Sequence, residues 1–90
     1  MRTITYSGND AETYSIIQDG EPVAEILTGE DGAMGIVDEI NEFIKAESEY
    51  ADCIVIQNDD EKLGLIADAY STITNDLVNT MTIWFEDYID

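Results

Sequence analysis

The chain has 90 residues, with 21 Asp and Glu, 3 Lys and Arg and no His, for a net charge of −18. This length is that of one small domain, and a hydrophobic fraction of 44 % suffices for one modest core. We therefore expect a single compact domain over residues 1–90. The charge excludes nucleic acid as a direct ligand, because phosphate binding needs Lys and Arg, and it disfavours anionic membrane surfaces. It favours a basic protein partner.

The sequence lacks the residues of most catalytic sites. Without His there is no Ser-His or Cys-His nucleophilic pair, and no GxxxxGK(S/T) or GxGxxG phosphate loop occurs. Cys53 is the single cysteine, which excludes an internal disulfide and disfavours a zinc site. The run Asn58-Asp59-Asp60-Glu61 lacks the ligand spacing of a calcium-binding EF-hand loop. We expect neither an enzyme nor a bound metal or cofactor.

Three strands are predicted in the N-terminal third. Residues 2–6 alternate polar and apolar side chains, and residues 13–18 and 22–28 are rich in apolar and β-branched types. Asp19-Gly20 is typical of a two-residue hairpin turn, and Pro22 stands at a strand start, where a missing N–H is tolerated. These segments predict a three-stranded antiparallel meander.

An amphipathic helix is predicted over residues 33–49. Apolar side chains recur there at three- and four-residue steps, at Ala33, Ile36, Val37, Ile40, Phe43 and Ile44. The opposite face carries acids, namely Asp38, Glu39 and Glu42, with Glu47 and Glu49 at the end. One face can therefore build a core while the other presents an array of carboxylates.

The second half of the chain predicts a strand, a helix and a further strand. Residues 52–57 read as a short strand buried on both faces, with Cys53 as a small buried residue. Asn58 followed by Glu61 resembles a capping box, and apolar residues continue with helical spacing to Val78. These signals predict a second helix over residues 59–78.

The predicted fold class is α+β. Its order is the N-terminal meander, the amphipathic helix, a buried strand, the second helix and a C-terminal strand over residues 80–86. A competing interpretation remains open, in which residues 54–57 pair with residues 63–67 as a hairpin and residues 75–88 form the second helix.

The acidic charge is concentrated in the middle of the chain, where residues 31–61 hold ten acids and one lysine. Asp38 and Glu42 are four residues apart, so their side chains begin about 5–6 Å from one another on a helix, where like charges are destabilising. A helix that carries such pairs without lysines between them suggests a role for the charge itself. The predicted partner-binding surface comprises Asp38, Glu39, Glu42, Glu47 and Glu49, with Asp59, Asp60 and Glu61 next to them.

Trp84 marks a second candidate surface near the C-terminus. Acids surround it at Glu86, Asp87 and Asp90, with Phe85 and Tyr88 between them. An aromatic anchor among acids suits a basic protein groove. The alternative is that Phe85 belongs to the core and Trp84 half-covers it, because aromatic residues dominate cores as well as interfaces.

In overall character the chain resembles the small acidic phage-encoded anti-CRISPR and DNA-mimic anti-restriction proteins. The resemblance covers the whole chain in size, acidity, predicted α+β class and lack of catalytic residues, and it includes no diagnostic motif. It implies a stoichiometric inhibitor that occupies the basic channel through which a Cas complex or a nuclease holds nucleic acid. No signal-peptide run or membrane span is present, so we expect the cytoplasm, that of the host if a phage encodes the chain.

Two other functions fit the composition. An immunity protein or antitoxin would neutralise one cognate nuclease, with specificity from an apolar anchor such as Trp84. A halophilic domain would be acidic and lysine-poor for solubility alone. Against the halophilic interpretation, the chain has 13 Ile and 8 aromatic residues, a generous apolar content for such proteins.

Overall fold

The computed structural model describes residues 3–89. Its elements in chain order are β1 (Thr5–Gly8), β2 (Tyr14–Gln18), β3 (Glu21–Ile26), α1 (Glu30–Glu47), β4 (Cys53–Asn58), β5 (Gly64–Ser71), β6 (Asp76–Trp84) and a 3-10 turn (Phe85–Tyr88). Arg2, which the sequence placed in the first strand, and Asp90, placed beside Trp84, lie outside the described residues.

The strands form two antiparallel sheets of three, in the orders β1-β2-β3 and β4-β5-β6. The fold is α+β overall, but the predicted layout is wrong, because residues 3–89 contain one α-helix instead of two. In the first sheet, Asp19 and Gly20 connect β2 to β3 with φ angles of 53° and 81°. Two positive φ angles are the signature of a type I′ turn, whose twist matches that of the flanking strands.

Side chains join the two sheets where β3 and β4 lie beside each other. The Asn58 amide accepts a hydrogen bond from the Glu25 N–H (2.9 Å) and donates one to the Glu25 carbonyl (2.8 Å). At the other end of β4, the Gln18 amide donates to the Ile54 carbonyl at 2.9 Å. Both contacts follow from β3 and β4 running in the same direction, with α1 as the connection between them.

Helix α1 covers one face of both sheets and supplies the centre of the core. Its buried face consists of Gly32, Ala33, Ile36, Val37, Ile40 and Ile44. These side chains meet Ile16 and Ile26 from the first sheet and Ile56, Leu65 and Ile83 from the second, in one cluster. The helix begins three residues before the predicted start, at Glu30, and its first turn carries the acids Glu30 and Asp31. Acids there are favoured by the helix dipole.

The predicted second helix is replaced by the β4–β5 hairpin and by β5 itself. Asn58 ends β4, so it does not cap a helix. Asp59 begins the hairpin loop, where its Oδ1 accepts hydrogen bonds from the N–H groups of Leu63 (2.6 Å) and Gly64 (3.1 Å). Lys62 takes a left-handed conformation, with φ at 58°, which turns the chain back. The competing interpretation predicted a hairpin here, but residues 54–57 pair with residues 66–69 instead of 63–67. Its helix over residues 75–88 is also wrong, since β6 and the 3-10 turn occupy that segment.

The second sheet is covered on one face only. In β4, Ile54 and Ile56 are buried whereas Val55 is 43 % exposed, so the prediction of a strand buried on both faces is wrong. Cys53 is half-buried, not buried as predicted. The last predicted strand exists as β6, longer than expected, and Phe85 after it belongs to the core at 3 % exposure.

Candidate interaction surfaces

Asp38 and Glu42 project from the outer face of α1, away from both sheets. Both residues are exposed, and neither side chain has a hydrogen-bond partner within residues 3–89. Together they border a groove of about 550 Å³ that also contains Asn41, Ile44 and Lys45. We name Asp38 and Glu42, with Asp31 one heptad before Asp38, the helix stripe. Asp31 is exposed in the first turn, and the sequence analysis did not assign it to this surface.

The other acids predicted for this surface have different surroundings. Glu39 lies on the flank of the helix, where its carboxylate accepts a hydrogen bond from the Tyr88 hydroxyl. Glu47 accepts one from the Asn79 amide of β6 at 2.8 Å. Glu49 is exposed in the turn after the helix end. Among residues 3–89, Asp38 and Glu42 are therefore the acids of the predicted helical surface that are exposed on the helix itself and have no hydrogen-bond partner.

The prediction that the loop acids Asp59, Asp60 and Glu61 lie next to the acids at the end of α1 is wrong. The chain leaves α1 at Glu47 and reaches β4 beside Tyr70, whose carbonyl accepts from the Asp52 N–H. Asp59 lies at the opposite end of the β4–β5 ladder, where Asn58 pairs with Leu65. Five residue steps along a strand separate the two ends by roughly 17 Å. Asp59, Asp60 and Glu61 thus form a separate surface from Glu47 and Glu49.

Those loop acids instead meet the second predicted surface, at Trp84. One cavity of about 430 Å³ is lined by Asp59, Asp60, Glu61 and Trp84. A second cavity of about 430 Å³ also includes Trp84, and its lining comprises the apolar residues Leu27, Leu63, Trp84, Phe85 and Ile89 with the charged residues Lys62 and Glu86. We name this region the Trp84 end. The sequence pointed to Trp84 and to the acids separately, but it contained no sign of their proximity.

The apolar residues of the Trp84 end are unusually accessible. Trp84 is 43 % exposed, Leu63 is 56 % exposed and Ile89 is 58 % exposed. Leu63 was not predicted as part of this surface, because its spacing fits the apolar face of the predicted second helix. Asp87 is exposed on the 3-10 turn and lines neither cavity. Glu86 therefore joins the Trp84 end, whereas Asp87 lies beside it.

Two carboxylates have a pKa that hydrogen bonds lower from its usual value. The Thr72 hydroxyl and N–H both donate to Asp52, which lowers the pKa of that carboxyl group. The Glu12 N–H donates to Asp10 at 2.9 Å and lowers the pKa of Asp10 in the same way. Both groups organise turns, and neither belongs to the helix stripe or the Trp84 end. Their role is structural.

Comparison with models of known protein families found no match, and comparisons with curated proteins and with solved structures also found none. Within residues 3–89, no three side chains of the His, Cys, Asp and Glu types come together as a metal site would require. The same residues contain no helix with the length and apolar character needed to cross a bilayer.

Proposed function

We propose that this protein is a non-enzymatic acidic inhibitor that binds the basic nucleic-acid channel of a bacterial defence nuclease, such as a Cas complex or a restriction enzyme. The observation that carries the proposal is the helix stripe, a row of exposed carboxylates on α1, of which Asp38 and Glu42 have no hydrogen-bond partner among residues 3–89. Its carboxylates stand in for the phosphates of a bound nucleic acid. The inhibitor acts stoichiometrically in the cytoplasm of the cell whose nuclease it opposes.

The spacing of the helix stripe supports mimicry of a phosphate backbone. Asp38 and Glu42 are one helical turn apart, about 6 Å along the axis, and Asp31 precedes Asp38 by about 10 Å. Successive duplex phosphates advance about 3.4 Å along the axis of each strand and are further apart through space. The net charge of −18 adds long-range attraction, which accelerates association with a basic channel and weakens as salt screens it.

The test is capture of partners on the immobilised chain, followed by competition with DNA. Lysates from bacteria with CRISPR and restriction systems are passed over the chain at about 0.1 M salt, where the Debye length is near 10 Å. The proposal predicts that a Cas complex or a nuclease binds, that added DNA displaces it, and that its nuclease activity falls in proportion to the inhibitor. If the captured proteins do not bind nucleic acid, or if DNA leaves them in place, mimicry is wrong.

A second candidate function is neutralisation of one cognate nuclease, as an immunity protein or antitoxin does. The Trp84 end favours it, because an exposed indole over an apolar cavity with acids at its rim has the anatomy of an interface hot spot. In this case specificity comes from an apolar anchor and the acids cover a basic active site. Substituting Trp84→Ala should then weaken binding by about 30-fold or more, the effect of losing a hot-spot residue.

The control for Trp84→Ala is Ile73→Ala, which removes a smaller but more exposed apolar side chain at a site far from both cavities. Ile73 is 91 % exposed at the β5–β6 turn. If Trp84→Ala weakens binding and DNA does not displace the partner, the cognate-nuclease function is correct. If DNA displaces the partner and Trp84→Ala binds as the unchanged chain does, the mimic is correct.

A further inference from the structure

Strand β6 is a long, open edge of the second sheet. It runs over nine residues, Asp76–Trp84, and pairs with β5 on one side only. Its first five residues are exposed on both faces, so this half projects beyond the core. Unpaired N–H and C=O groups along an edge are a template for a further strand, and folded proteins normally protect such an edge with lysine, proline or a covering segment. Residues 76–84 contain no lysine, arginine or proline.

The same edge is nearly free of charge in a very acidic chain. Residues 69–85 contain one acid, Asp76, while the rest of the sequence holds the other twenty. Two carboxylates that border β6 are hydrogen-bonded by its own side chains, since Thr80 donates to Asp68 and Asn79 donates to Glu47. A basic partner would be matched by carboxylates, which this edge lacks. A second acidic molecule, in contrast, can approach here with the least repulsion.

We infer that β6 is a self-association edge, on which two copies of this chain pair their β6 strands antiparallel across a two-fold axis. The pairing joins two β4-β5-β6 sheets into one six-stranded sheet and satisfies the open backbone groups of both edges. Exposed apolar side chains along the projecting half, Leu77 at 52 % and Val78 at 36 %, become covered in the dimer. The inference does not depend on the proposed function, because the helix stripe lies outside this edge, and Trp84 is the last residue of β6, at the end away from the projecting half.

The affinity of this self-association should change with salt in a characteristic direction. Two copies with a charge of −18 repel each other at low ionic strength, and the Debye length falls from about 10 Å at 0.1 M salt to about 3 Å at 1 M. Dimerisation through an uncharged edge therefore strengthens as salt is raised. The affinity for a basic partner, in contrast, weakens as salt is raised.

The test is the molar mass of the full chain in solution at about 0.1 M and about 1 M salt, measured by light scattering or sedimentation equilibrium. We expect a mass that rises from near 10.0 kDa toward twice that value as salt increases. Val78→Lys should keep the mass at that of the monomer in both salts. This substitution lowers the net negative charge, so the loss of the dimer cannot come from added repulsion across the whole molecule.

The matched control is Val23→Lys, the same substitution at a residue that is 37 % exposed in the first sheet. It should dimerise as the unchanged chain does. If circular dichroism finds Val78→Lys unfolded, Leu77→Lys decides the question at the neighbouring position. A monomer at both salt concentrations, a dimer that salt dissociates, or a dimer that survives both edge substitutions would overturn the inference.

Discussion

Two asparagine side chains replace strand-to-strand hydrogen bonds at the margins of this fold. Asn58 bonds both backbone groups of Glu25, and Asn41 on α1 bonds both backbone groups of Ile4, at 2.8 and 3.1 Å. A primary amide offers one acceptor and two donors, so it imitates a peptide group. Asn58 in this way joins two sheets that have separate backbone ladders.

Asn58→Asp should destabilise the protein, because a carboxylate can accept from the Glu25 N–H but cannot donate to the Glu25 carbonyl. The expected loss is about 0.5–1.5 kcal/mol, the usual net contribution of one hydrogen bond, because these bonds are accessible to solvent. Urea unfolding measures it. Gln57→Glu is the control, since it adds the same charge one residue earlier on an exposed side chain. Equal stability of the two variants would mean that the amide bridge contributes nothing.

Asp52 gives the fold an acid-sensitive contact at the start of β4. Hydrogen bonds from Thr72 hold the pKa of this carboxyl group below 3.8 in the folded protein. Its contribution to stability is therefore present above about pH 3.8 and is lost as the pH falls through the lower folded-state pKa.

We expect Asp52→Asn to lower the urea midpoint at neutral pH and to have a shrinking effect as the pH falls below 3.8. Asp60→Asn, in an exposed loop, serves as the reference for removing one acid. If the urea midpoints of Asp52→Asn and the unchanged chain differ by a constant amount down to about pH 2, this assignment is wrong.

At the scale of elements, α1 was predictable and β5 was not, for identifiable reasons. The helix has a full apolar face with three- and four-residue steps, and only its first turn was missed, where glycines weakened the signal. Strand β5 buries Leu65, Ala67 and Ala69 in alternation, but alanine is a weak strand signal and the same segment fits a helical spacing. The spacing of Asn58 and Glu61 resembles a capping box, but here Asp59 accepts the N–H groups of Leu63 and Gly64 in a hairpin loop, so the predicted helix start was wrong.

Gly64 sets the close approach of β5 and β6 beside the Trp84 end. A Cβ at this position would overlap the Ile83 carbonyl oxygen and lie 3.0 Å from the indole of Trp84. Gly64→Ala should therefore destabilise the fold by about 1–3 kcal/mol and displace Trp84. Urea unfolding and the Trp84 fluorescence maximum report the two effects.

Gly29→Ala is the control for Gly64→Ala, because a Cβ there meets nothing within 4 Å. It should leave the fluorescence maximum unchanged. An unchanged stability and emission maximum in Gly64→Ala would mean that the two strands separate freely at this end.

At the scale of the whole molecule, the candidate binding acids lie on two separate surfaces, and the β6 edge is a third surface with almost no charge. The sequence predicts the exposed acids of α1, because amphipathic spacing assigns Asp38 and Glu42 to the outer face. It could not indicate that Asp60 and Glu61 belong with Trp84, since that proximity arises from the β4–β5 and β5–β6 pairings. The open β6 edge could not be predicted either, because it depends on the same strand pairings and residues 59–78 were assigned to a helix.

The central claim is that the helix stripe binds a basic nucleic-acid channel, and charge reversal of Asp38 and Glu42 tests it most directly. Asp38→Lys with Glu42→Lys is compared with Glu12→Lys with Glu21→Lys, which changes the net charge equally at exposed residues elsewhere. The measurement is inhibition of DNA cleavage by the captured nuclease, titrated with each variant. The account predicts that the helix double loses inhibition while the control double keeps most of it. Equal inhibition by the two doubles would contradict the claim, since net charge alone would then explain binding.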